Sequence, residues 1–292
     1  MSDAIKRRNF IKTASLIGAS LPLSSILANE WLPGNVDQIK NSYFIVSFDR
    51  AKGTINIYRS NGTPLLIGGT TCINLFAGEA DSTNGKHSIA PDSYKYTFNS
   101  TTFSDQLGPG KKLTIHSKDR DKSADFEIQL SLYDHLEAIT IEAVCKNVSG
   151  HDLAINSIEP VRVLINEGGV LNVPGVSKCI TNGEMYFDTG TIHKFGTNEN
   201  AISSGELKGI KLTNGSISLQ SETIHSWWNT GLFSGYEKEG MVLGYLENNS
   251  AIGNLLLSKT SSDQISFVAE SAYAPQLVLK PGKMCGKGDC LQ

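Results

Sequence analysis

From Tyr43 onward, apolar and polar residues alternate with a period of two over most of the chain. Phe126, Ile128, Leu130 and Leu132 place an apolar side chain at every second position. Ile139, Ile141, Ala143 and Cys145 repeat the pattern, with Thr140, Glu142 and Val144 between them. A strand sends successive side chains to opposite faces, so this spacing predicts strands with one face in a core and the other in water. Shorter runs at residues 54–58, 113–116, 209–213, 216–221, 241–246 and 264–270 predict further strands. Turn formers punctuate them at Asn61-Gly62, Gly108-Pro109-Gly110, Asn214-Gly215 and Pro281-Gly282. Asn214-Gly215 sits between Leu212 and Ile217 and predicts a two-residue hairpin, because this pair tolerates the positive φ angles of a type I′ turn. No long stretch of helical period follows the first 28 residues.

Many short strands and frequent turns predict an all-β fold, a large antiparallel two-sheet β-sandwich over residues 43–283. Residues 29–42 read as a linker and 284–292 as an irregular tail. Residues 77–92, rich in Gly, Ser, Asp and Asn, and residues 183–205 read as surface loops.

The first 28 residues change the picture of where the chain works. Lys6, Arg7, Arg8 and Lys12 precede an apolar run that ends in small residues near Ala28, the parts of an export signal. Arg7-Arg8 followed by Phe10 and Lys12 is similar to a twin-arginine signal, read by a route that carries folded proteins. An ordinary secretory signal with two adjacent arginines is the alternative. Either one predicts a periplasmic or extracellular protein. The whole chain has 26 basic and 29 acidic residues. Loss of the signal removes four bases and Asp3, leaving 22 against 28, a net charge of −6. That balance points away from nucleic acid and anionic membranes as partners. No later apolar run approaches the ~20 residues of a membrane span.

Chemistry is sparse in the sequence. The five cysteines, Cys72, Cys145, Cys179, Cys285 and Cys290, are an odd and scattered set, unlike a disulfide framework. Cys145 reads as a buried small hydrophobe, and Cys285 and Cys290 are near enough to close a small disulfide. His87, His116, His135, His151, His193 and His225 are dispersed without metal-ligand spacing, and nucleotide-binding loops and a serine-hydrolase elbow are absent. No metal or cofactor is expected. Glu222, Glu237, Glu239, Glu247 and Glu270 are candidates for acid–base work by abundance alone, and a solvated strand edge or loop is the expected place for each.

The most informative stretch is His225-Ser226-Trp227-Trp228-Asn229-Thr230-Gly231-Leu232-Phe233-Ser234-Gly235-Tyr236. Adjacent rings in a strand face opposite ways, so one can anchor the core while the other stays available. Aromatic faces stack on the C–H faces of sugars, and short polar side chains bond the hydroxyls. Trp227, Trp228, Asn229 and Tyr236 are therefore candidates for a carbohydrate or domain interface, with Trp227 expected inside. The alternative is that both rings pack between sheets or against a neighbouring domain.

Six stretches, taken in order, carry a resemblance. They are Phe103-Ser104-Asp105-Gln106-Leu107-Gly108-Pro109-Gly110-Lys111, Ala143 to Ser149, Trp227 to Gly231, Gly240 to Glu247, Ala269 to Tyr273 and Leu277 to Lys283. From Tyr43 to Lys283 the chain resembles the N-terminal sandwich of family 36 glycoside hydrolases, the α-galactosidase and raffinose-synthase group. The resemblance implies a supersandwich of the galactose-mutarotase-like kind. In the family this precedes a (β/α) barrel whose two aspartates act as nucleophile and acid/base. Ten residues follow Gly282, too few for a barrel, so neither aspartate can be carried to a position here and no catalytic residue is expected. The expected role is a non-catalytic module with a galactoside-type carbohydrate or a catalytic barrel as partner, and a homo-oligomer is left open. A truncated product, a fragment and a stand-alone descendant remain open. So do a mutarotase-like enzyme and a structural surface carbohydrate-binding protein.

Overall fold

Phe126, Ile128, Leu130 and Leu132 all lie in the core of the computed structural model, on strand β8 (Ala124–Tyr133), as their alternation predicts. The structure describes residues 36–75, 86–88, 94–119, 123–182, 191–195, 223–235, 239–246, 251–259 and 264–286. Strand β9 (Ile139–Asn147) pairs with β8 in register, Ile128 opposite Ala143 and Phe126 opposite Cys145. These two, with β19 (Met284–Cys285), β7 (Gly108–Asp119) and β6 (Tyr94–Asp105), make a five-stranded sheet in the order β19-β9-β8-β7-β6.

A larger sheet runs β1 (Val36–Lys40), β2 (Phe44–Asp49), β3 (Thr54–Arg59), β4 (Pro64–Leu75), β10 (Leu153–Val163), β18 (Gln264–Leu279), β17 (Ile252–Lys259) and β14 (Thr223–Trp227). Two short strands join it: β5 (Lys86–Ser88) pairs with β4, and β11 (Val170–Asn172) bridges β4 and β18. A third sheet has the order β13 (Thr191–Lys194), β12 (Val176–Thr181), β15 (Asn229–Ser234) and β16 (Gly240–Gly244). All described pairings are antiparallel. A three-residue 3-10 turn, Ile165–Glu167, is the helical element among the described residues.

One apolar cluster joins the sheets. Phe48, Ile55 and Ile155 enter it from the large sheet, Ile115 and Ile128 from the five-stranded sheet, and Cys179 and Leu232 from the four-stranded one. Each is essentially without solvent contact. The all-β antiparallel sandwich expected from the sequence is thus present, built from three hydrogen-bonded sheets rather than two.

Several local expectations change. Residues 36–40, inside the expected linker, form β1, because β2 offers them a full antiparallel register from Val36–Asp49 to Lys40–Ile45. The expected irregular tail opens with β19, whose Cys285 is buried opposite Cys145. The expected loops at 77–92 and 183–205 contain β5 and β13. In each case pairing with another strand, a sequence neighbour for β1, β5 and β13 and the distant β9 for β19, supplies order that the local sequence hides. Gly108-Pro109-Gly110 is the start of β7, and the turn falls at Gln106 and Leu107, capped by Asp105 accepting the Leu107 N–H at 2.8 Å. Gly110 lies so close to β8 that a Cβ there would stand 2.3 Å from the Leu132 carbonyl oxygen. The export signal, the Asn214-Gly215 hairpin and the strands expected at 209–213 and 216–221 lie outside the described residues.

Strand β10 carries the irregularity that shapes the rest. Pro160 has no N–H for the ladder, and the register against both β4 and β18 slips beside it. Residues three apart on a regular strand face opposite ways. The slip instead brings Glu159 and Arg162 to one face, while Ile158 and Val161 both enter the core. A bulge that re-aims side chains in this way is a recurrent device next to functional sites.

Candidate functional site

The face of the large sheet opposite the main core carries a buried row of polar side chains beside a small apolar cluster of Leu164, Leu256 and Val268. Register places Trp227 opposite Asn254 on β17, and Asn254 opposite Glu270 on β18. Ser271 pairs with Ile158 and Ala269 with Val161, so Glu270 falls against the bulge at Glu159 and Pro160. Glu159 is in turn opposite Cys72 on β4. Glu159 is 0% exposed and Glu270 2%. Carboxylates so deeply placed need partners.

The partners are present. Asn74 Nδ2 donates to Glu159 Oε1 at 2.9 Å and to Ser157 Oγ at 2.7 Å. Arg162 Nη1 donates to Glu159 Oε2 at 3.4 Å, and the rest of its guanidinium forms a fork on Glu167, with Nε 3.0 Å from Oε2 and Nη2 on Oε1. Burial alone would lower the Arg162 pKa, but its bonds to Glu167 and the charge of Glu159 outweigh it and raise it. On the other half of the row, Asn254 Nδ2 donates to Glu270 Oε2 at 3.2 Å, and Asn254 Oδ1 lies 3.2 Å from His225 Nε2. Burial pulls the His225 pKa below its ordinary value, partly opposed by the Asn254 bond. Burial, then the charges of Glu270 and Glu159, hold the Tyr245 phenol above its usual range and therefore neutral. The result is an ordered plate of amides, carboxylates and a neutral imidazole on a rigid sheet. It can hold hydrogen-bond donors and acceptors in fixed positions, and it keeps its carboxylates away from solvent.

The residues singled out in the sequence divide around this plate. Trp227 is 5% exposed, as expected of the inward ring, and its ring meets the His225 imidazole edge-on with centroids 4.8 Å apart. It lies on the polar side of the sheet and is not part of the main apolar cluster. Trp228 is half-buried and Asn229 exposed, at the passage from the large sheet to the four-stranded one. Tyr236 lies outside the described residues, as do Glu222, Glu237, Glu247 and Cys290. Glu239 is exposed and pairs with Arg59 at 3.4 Å. Glu270 departs from expectation: it is neither on a solvated edge nor in a loop, but at the centre of the buried row. The histidines dispersed in sequence include one, His225, that folding joins to Glu270 through a single amide.

On its outward side the four-stranded sheet carries one apolar cross-strand row, next to the Lys178–Lys194 pair. Ile192, Ile180, Gly231 and Val242 are successive cross-strand partners on β13, β12, β15 and β16. Ile192 is 59%, Ile180 41% and Val242 65% exposed. The Phe233 ring lies over Gly231, where an added Cβ would come within 2.7 Å of it. No helix among the described residues is long and apolar enough to cross a membrane.

No known family profile and no curated protein sequence matches the chain. Solved structures do. A family 36 α-galactosidase, AgaA of Geobacillus stearothermophilus, is similar over 86% of this chain and 39% of its own, with a TM-score of 0.52 at 11% identity. A variant of that enzyme in complex with 1-deoxygalactonojirimycin gives the same figures. A galactose mutarotase-like protein from Lactobacillus casei is similar over 86% of this chain and 97% of its own, at 12% identity and a TM-score of 0.43. The chain therefore spans about two fifths of the length of the α-galactosidase, and the likeness establishes a shared sandwich fold.

Proposed function

We propose that this chain is a non-catalytic, carbohydrate-associated sandwich module of an exported α-galactosidase-like glycoside hydrolase. It works beside a catalytic barrel, with a galactoside-type carbohydrate or that barrel as partner. The observation that carries this reading is the likeness of nearly the whole chain to a minor part of an α-galactosidase. Fold alone does not assign function. The non-catalytic half of the reading is supported by the state of the carboxylates. Glycoside hydrolysis needs two carboxyl groups that flank the bond and reach it, whereas Glu159 and Glu270 are buried and each is engaged by an amide.

The purified chain is expected to leave aryl α-galactosides intact. Turnover above background that a single Glu159→Gln or Glu270→Gln substitution abolishes would overturn the reading. A second reading, a mutarotase-like sugar enzyme, is favoured by one observation, the His225–Asn254–Glu270 chain, since ring opening needs a placed acid and base. Polarimetry separates the two. Accelerated mutarotation of α-D-galactose that is lost in both His225→Ala and Glu270→Gln would establish the second reading and remove the first.

A further inference from the structure

Trp228 is, among the described residues, the one residue other than glycine with a left-handed backbone, at φ 66°. That region crowds Cβ against the following carbonyl, and for a bulky side chain it is an outlier. The surroundings enforce it. The Trp228 N–H donates to the Gly253 carbonyl of β17 at 3.0 Å, and its own carbonyl accepts the Tyr245 N–H, just beyond β16, at 2.8 Å. One residue thus holds both sheets. The neighbouring chain is fixed as well. Ser226 Oγ donates to the Asn229 carbonyl at 2.6 Å and accepts the Asn182 N–H at 2.7 Å. Gly244, opposite Asn229, has no room for a Cβ, which would stand 2.9 Å from Asn229 Cβ and 3.1 Å from the Trp228 oxygen.

Glycine would adopt this backbone without strain, so the conformation does not explain the indole. Filling the interior explains it only in part, because the neighbouring ring, Trp227, is the buried one and Trp228 keeps part of its surface in solvent. Strained backbones recur at ligand clamps, among other functional sites, and here one holds a partly exposed ring in place. The ring is followed directly by an exposed carboxamide, which both donates and accepts. An aromatic face next to an amide complements the C–H face and hydroxyls of a sugar ring.

We infer that Trp228 and Asn229 form a saccharide-binding corner at the joint of the two sheets, taking an uncharged pyranose against the indole with Asn229 on its hydroxyls. This rests on the carbohydrate-associated reading above and gives it a place and a mode of contact.

Saturation-transfer NMR and calorimetry on the full chain, with melibiose and raffinose as probes and maltose for comparison, test it. Trp228→Gly is expected to raise the thermal midpoint by relieving the backbone, and to weaken binding by about tenfold. Trp228→Phe, which keeps a ring and the strain, should stay within about threefold of the parent. Asn229→Ala should lose several-fold in affinity with an unchanged midpoint. A lower midpoint in Trp228→Gly would show that the ring is packing, and the corner would be wrong. Undiminished binding in Trp228→Gly would place the sugar elsewhere, which overturns the corner and leaves the module reading standing. No binding of any probe by the parent chain would remove the corner and the carbohydrate partner together, leaving the barrel as the module's partner.

Discussion

His225 and Asn254 are joined across the β14–β17 pair by a contact that sets the tautomer of the ring. Asn254 donates from Nδ2 to Glu270, which leaves its Oδ1 facing His225. The imidazole then donates from Nε2, and burial keeps it neutral.

A pH dependence follows from this neutral histidine. Its folded pKa is below the ordinary 6.5, so in the window beneath 6.5 the unfolded chain takes up a proton that the folded chain refuses. The contribution of His225 to stability is full above that window and is lost as pH falls through it. Denaturation midpoints measured between pH 7.5 and 5 should drop more steeply in the parent than in His225→Gln. Parallel curves would show that the imidazole is not held neutral.

Arg162 should be costly to remove. Truncation to alanine leaves Glu159, at 0% exposure, without its countercharge, and breaking a buried pair this way costs about 3–5 kcal/mol. Replacing both residues together, Glu159→Gln with Arg162→Met, should cost less than Arg162→Ala alone. Urea denaturation of the three chains measures the difference.

The two tryptophans should separate in stability. Trp227→Ala empties a buried site and is expected to cost about 3–5 kcal/mol. Trp228→Ala should cost far less, since its ring is half-exposed and alanine fits the left-handed backbone little worse. Equal and large losses by chemical denaturation would show that both rings are core.

The apolar row on the four-stranded sheet should govern self-association. Exposed apolar stripes mark interaction sites or aggregation hazards. Val242→Lys interrupts the row at its most exposed member and should change stability by no more than about 0.5 kcal/mol while reducing association in sedimentation velocity. An unchanged sedimentation profile from an associating parent would exclude the row as the contact.

Export is tested in cells. With Arg7 and Arg8 both replaced by lysine, the protein should remain in the cytoplasm if the pair is read as a twin-arginine signal. Unchanged delivery would point to an ordinary secretory signal.

The alternation in Phe126–Leu132 and Ile139–Cys145 was enough to find β8, β9 and the buried face of each, because one apolar face against one polar face is what period two encodes. The same rule concealed the site. Glu270 was expected on a solvated edge or in a loop, and nothing in the local sequence sets Glu159 or Asn254 apart. Their burial depends on strands far apart in sequence lining up with Asn74 and His225, and on a bulge at Pro160 that no periodicity announces. Trp227 was legible as the inward ring. The strain at Trp228 was not, since nothing in its neighbours' composition calls for a left-handed residue there.

The place of β18 at the centre of the large sheet governs the order in which the molecule can be completed during synthesis. β10 forms half of its ladder with β4, already made, and the other half with β18, which follows every other described strand of the large sheet in chain order. Asn147 binds the Leu279 carbonyl across 132 positions of chain, so loop closure on that scale must precede the final contacts. Until β18 arrives, β10 offers an open edge, and its Glu159 lacks the neighbouring strand that carries Glu270. Synthesis that has passed β10 but not β18 leaves that edge without its second partner strand, with the Glu159–Arg162 pair on it. Charged side chains on an open strand edge disfavour pairing with a wrong strand, so this ion pair has a use before the sheet is complete as well as after.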